Sequence, residues 1–193
     1  MMKKIKTLTA IFLLSIGLVG CDVNFDKSIN EQEKFAEVEK KLMAAVSDLT
    51  KIPTRVEVAA EPYIKGKIAV FQVLEDKGKY VRVKKDKIYY MQSSYFRNLE
   101  EIYAAAPEEV GTVALVDCRT LQKGVYITED GREMPAEVED CELTLINRSI
   151  SAVIFKKKFE KEPDDKQRVY ANSVGRQTPL QDISQFLKNL PRK

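Results

Sequence analysis

Apolar residues recur every three or four positions at Phe35, Val38, Leu42, Ala45, Val46 and Leu49, the spacing of one helix face. Asn30-x-x-Glu33 and Ser28-x-x-Glu31 both match a capping box at its start, and Pro53 stops it. Glu37 and Lys41 can pair on the outer face. The stripe runs for about two heptads, short of what a coiled coil needs, so packing against the protein's own sheet is expected. After Tyr63 the pattern changes. Lys67–Leu74 is a nearly continuous run of β-formers, as for a central strand, and Asp76-Lys77-Gly78 reads as a turn. Lys79–Lys84 alternates, Ile88–Met91 is a further short strand, and Ser94–Ala105 reads as a helix ending before Pro107.

The second half is rich in strands. Gly111–Arg119 is one, Lys123-Gly124 marks a turn, and Val125–Ile127 is a short strand. Asp130-Gly131 is a hairpin signal. Glu137–Ile146 and Ile150–Phe159 read as two long strands joined at Asn147-Arg148-Ser149, followed by a charged loop from Glu160 to Lys166. A last helix has Thr178 as cap, Pro179 at its first position and Leu180, Ile183, Leu187 and Leu190 inward. Hairpin-length connections favour a mostly antiparallel sheet, with N-terminal, central and C-terminal helices over one face. The expected class is α+β.

The N-terminus has a different character. Lys3, Lys4 and Lys6 precede an uncharged, mainly apolar stretch from Leu8 to Val19. Twelve residues suit the apolar region of an export signal and fall short of the roughly 20 needed to span a bilayer. Leu18-Val19-Gly20-Cys21 follows in register and resembles the lipobox of bacterial lipoprotein precursors. That resemblance covers the first 21 residues, and the mature part resembles no family we can name. It implies cleavage after Gly20, a diacylglyceryl thioether and an acyl chain on Cys21, and a lipid-anchored place in the cell envelope. In lipoproteins of the enterobacterial kind, an Asp after the cysteine resembles a signal for retention at the inner membrane, facing the periplasm; here that residue is Asp22. The expected organisation is a signal peptide over 1–20, a lipidated cysteine and short tether over 21–30, and one α+β domain over 31–193. Such a tether reaches at most about 30 Å.

Charge and composition then narrow the chemistry. The 193 residues carry a formal charge of +3, and the lysines of the signal account for all of it. A neutral mature domain lacks the basic footprint of a nucleic-acid binder, so no nucleic-acid partner is expected. Histidine is absent, which excludes Ser-His-Asp and Cys-His nucleophile pairs and histidine-based zinc sites. No phosphate-cradling glycine loop or Gly-x-Ser-x-Gly elbow occurs. No catalytic residue, metal or cofactor is therefore expected.

Cys118 and Cys141 remain once Cys21 is lipidated. Both fall in strands with a hairpin between them, and an oxidising envelope favours a structural disulfide. Zinc held with Asp117, Glu139, Asp140 or Glu142 is a weaker alternative, since it would lack histidine. The acids around 137–142 and 160–165 read as solvated, with lysines nearby, and Lys84–Lys87 and Lys156–Lys158 as solvent-facing strand ends. Tyr89, Tyr95 and Tyr103, with Tyr90 and Phe96, form an aromatic concentration. They read either as core or as a possible ligand groove. The leading expectation is a membrane-anchored, non-enzymatic binding or accessory module with an envelope protein partner. The alternative is a ligand-binding or hydrolytic envelope protein using the tyrosines and a carboxylate.

Overall fold

The computed structural model describes residues 25–74, 87–90, 94–128, 130–164, 169–170, 173–174 and 177–193. Three elements supply the helical layers: α1 (Phe25–Ala44) continuing after a break at Ala45 into α2 (Val46–Leu49), a 3-10 helix (Ser94–Ile102), and α3 (Leu180–Lys188). The strands are β1 (Lys67–Leu74), β2 (Lys87–Tyr90), β3 (Val110–Ile127), β4 (Glu133–Asn147), β5 (Ala152–Phe159), β6 (Val169–Tyr170) and β7 (Ser173–Val174). The first five form one sheet in the order β2-β1-β3-β4-β5, and the last two form a small hairpin. The fold is α+β.

Two finer expectations fail. The sheet is mixed, because β1 and β3 run parallel while the other neighbours are antiparallel. The helices divide between its faces instead of sharing one. Leu42 and Leu49 of the first helical pair pack on Phe71, Val113, Leu115 and Ile146. Phe96, Leu99, Ile183 and Leu187 pack on Val70, Val116, Leu143 and Leu145 of the opposite face. The strands themselves carry this arrangement: β1 and the first half of β3 are apolar at successive positions, as strands buried on both faces must be.

Local departures have local causes. α1 begins at Phe25, so the stretch read as a tether over 21–30 is helical from there on, and Ser28 and Asn30 fall inside the helix instead of capping it. The central helix expected over Ser94–Ala105 is a 3-10 helix and ends at Ile102. Lys123-Gly124 is not a turn; β3 continues through it with a register shift between Gln122 and Val125, and Gly124 sits at φ 131°. A glycine at positive φ serves a bulge as well as a turn. The hairpin turn comes at Asp130-Gly131, with Gly131 at φ 80°. The expected turn at 76–78 and strand at 79–84 lie outside the described residues.

A strap closes the bottom of the sheet. Lys65 donates its N–H to Thr112 Oγ1 at 2.8 Å, and that hydroxyl donates back to the Lys65 carbonyl at 3.0 Å. Thr112 is wholly buried, so this pairing satisfies a hydroxyl that would otherwise be costly there. The C-terminus joins in, with Ile64 donating to the Pro191 carbonyl and Lys193 to the Ile64 carbonyl. Asn147, buried at the end of β4, donates to the Tyr63 hydroxyl at 3.0 Å and accepts from the Ser149 N–H at 3.0 Å. Its role is that of a cap on the turn leading to β5.

Candidate functional site

Cys118 and Cys141 are directly opposed in the β3–β4 register and joined as a disulfide, with Cα atoms 4.0 Å apart. Both are buried against the α3 face of the sheet. Glu139 lies beside them, its carboxylate and the two sulfurs all within 4.8 Å. With the two sulfurs bonded to each other, the cluster offers no thiolate to a metal.

The opposite face of the same strands is polar where the first helical pair no longer covers it. Alternation along β3 brings Asp117, Arg119 and Leu121 to this side. β4 adds Asp140 and Glu142, while Lys158 of β5 and the following Glu160 complete an open cleft of about 460 Å³. The register sets Asp117 opposite Glu142, Glu142 opposite Lys158, and Arg119 opposite Asp140. Opposite charges on neighbouring strands attract, and the rows leave an excess of acid. At the rim, Lys123 reaches Asp140 and Glu162, each at 3.2 Å, and donates to the Lys161 carbonyl at 2.9 Å. Burial alone would lower the Lys123 pKa, but hydrogen bonds and charge from Glu162 and Asp140 outweigh it and hold the ammonium above the ordinary lysine value. Lys156 pairs with Glu142 at 3.3 Å. The cleft thus offers fixed charges of both signs and an apolar spot at Leu121.

Along the chain the acids cluster by proximity. Strand geometry regroups them: Asp140 and Glu142 reach the cleft with Glu160, whereas Glu139 faces the disulfide. Arg119 and Lys158 are not among the site residues singled out in the sequence, and Asp117 enters there only as a zinc candidate, although a period of two over β3, β4 and β5 places all three on one face. The lysine run divides the same way. Lys157 turns to the other side and lies over the Phe159 and Phe186 rings at 4.9 and 4.7 Å.

Of the candidate groove tyrosines, the side chains of Tyr95 and Tyr103 are among those described. Tyr103 is half-buried against the core that contains Ile68 and Phe96, while Tyr95 is 42% exposed. The Tyr89 side chain lies outside the described residues, as do Gly20, Cys21 and Asp22. No helix among the described residues is long and apolar enough to cross a membrane. Compared with known proteins, the chain matches no family model, no curated protein and no solved structure.

Proposed function

We propose that this protein is a membrane-anchored lipoprotein of a bacterial cell envelope, acting as a non-enzymatic binding or accessory module. The observation that carries the reading is the Leu18-Val19-Gly20-Cys21 box, in register behind three lysines and an apolar stretch of signal length. Lipid on Cys21 tethers the protein; two or more chains give stable attachment where one gives a marginal one. Asp22 favours the inner membrane, with the domain facing the periplasm. The partner is an envelope protein, not nucleic acid, and no cofactor is called for.

The charged cleft supports binding over catalysis. Its carboxylates stand among Arg119, Lys158, Lys123 and Lys156, and acid–base chemistry calls for a carboxylate set apart by its surroundings. Fixed charges of both signs suit recognition of a polar protein surface, where complementarity selects the partner. Anchoring near the bilayer raises the effective concentration of a membrane-bound partner, so even a weak contact suffices. A soluble variant beginning at Val23, exported to the same compartment at matched levels, is expected not to replace the lipidated protein in cells. Full complementation by it would remove the case for a tethered partner.

A further inference from the structure

The segment after Pro53 forms an additional edge of the main sheet. Val56 bridges Val153 of β5 in parallel. Val153 donates to the Arg55 carbonyl at 3.0 Å, and Glu57 and Ala59 donate to the carbonyls of Val153 and Ile154 at 2.8 and 3.1 Å. Residues 55, 57 and 59 therefore turn their hydrogen-bonding groups inward. By alternation Val56 and Val58 turn theirs outward, and among the described residues no backbone hydrogen bond reaches them. The same positions expose apolar side chains: Val56 is 61% and Val58 73% exposed. An open edge of this kind is a template for another strand. The continuing edge of β5 is different, since Lys156, Lys157 and Lys158 guard it.

We infer that this edge pairs with the same edge of a second copy, antiparallel, across a two-fold axis at Val56. With Val56 presenting its N–H and C=O outward, the central hydrogen-bonded pair is Val56 with Val56. Pro53, which has no N–H, precedes the bend at Thr54 and lies outside this pairing. Charge selects this register over its neighbours. Arg55 and Glu57, ion-paired at 2.6 Å within one chain, then lie opposite Glu57 and Arg55 of the other copy. Centring the axis on residue 55 or 57 would instead set Arg55 on Arg55 or Glu57 on Glu57, which repel. The chosen register also brings four exposed valines together on one face. The result is one continuous sheet through two copies, an isologous contact in which each edge supplies the same residues. This inference does not rest on the lipid anchor.

The test uses the full chain in mild detergent, with sedimentation equilibrium reporting mass between about 1 and 100 μM, a range set to bracket association of modest strength. Wild type is expected to dimerise. Arg55→Glu and Glu57→Arg each place like charges across the axis twice and are expected to weaken the dimer by about tenfold, on the scale of several cross-strand charge pairs. The double reversal restores the opposite-charge arrangement and should recover wild-type affinity, with circular dichroism of all four proteins showing the same fold. A monomeric wild type throughout this range would overturn the inference. So would a double variant as weak as the single ones, since misfolding or a different interface would account for that and reciprocal pairing would not.

Discussion

Replacing both Cys118 and Cys141 with alanine removes the one covalent cross-link between β3 and β4 described in the structure. The bond closes a loop with a sequence separation of 23 residues, spanning the far half of the β3–β4 hairpin. On the chain-entropy account, freeing a loop of that size in the unfolded state lowers stability by about 3 kcal/mol. The native fold should survive, because the ladder on both sides remains, from Thr112 opposite Asn147 to Ile127 opposite Glu133. Neither alanine leaves a polar group unpaired in the core. For a domain of this size the loss corresponds to a fall in melting temperature of about 6–12 °C. Thermal melts and urea titrations of the oxidised wild type, the reduced wild type and the double variant would measure it. The reduced protein should resemble the variant, and a non-reduced digest of the native protein should contain the two cysteine peptides joined. A variant within about 1 kcal/mol of wild type would refute the entropic reasoning. Native protein with both thiols free and readily alkylated would refute the bond itself.

Two further predictions concern the strap and the hairpin tip. A Cβ at Gly111 would lie 2.2 Å from the Lys65 carbonyl oxygen, so Gly111→Ala must push the 63–66 segment away and strain both Thr112 hydrogen bonds; a loss of about 3 kcal/mol in urea unfolding is expected, and an unchanged midpoint would contradict that packing. At the tip, a hydrogen bond from Thr128 and then one from Arg132 hold the Asp130 carboxyl below its ordinary value. A depressed carboxyl contributes stability above the unfolded-state pKa, and that contribution is lost as pH falls through the lower, folded value. Carboxyl-carbon NMR should show Asp130 titrating below a free aspartate, and Thr128→Ala should move it back up; a titration at the free value would dismiss the network.

What was legible in the sequence follows from period. β4 and β5 and the C-terminal helix stand close to where alternation and the three-to-four spacing put them, and Asp130-Gly131 turns the chain as its residue types require. The parallel contact between β1 and β3 was not legible, since pairing direction depends on a connection with no period of its own. The partition of helices between two faces left a trace in the unbroken apolar runs of Lys67–Leu74 and Val113–Val116, because a strand with a wet face must interleave polar residues. At Lys123-Gly124 the residue chemistry of a bulge and of a turn is the same, and only the partner strand decides between them. The cleft has no signature along the chain for a related reason. Asp140 and Glu142 sit among other acids along the chain, and their company in space, Arg119 and Lys158, comes from two other strands.

Lipid modification of Cys21 is open to direct measurement. Cells expressing the protein would be fed an alkyne-tagged fatty acid, and the purified product examined by in-gel labelling and by mass spectrometry of its N-terminal peptide. The wild type is expected to carry the label and to begin at Cys21, with residues 1–20 removed. Cys21→Ser is expected to remain an unlabelled precursor of larger size. An unlabelled wild type, or a serine variant that is still cut before residue 21 and still partitions with membranes, would contradict the lipid-anchor reading.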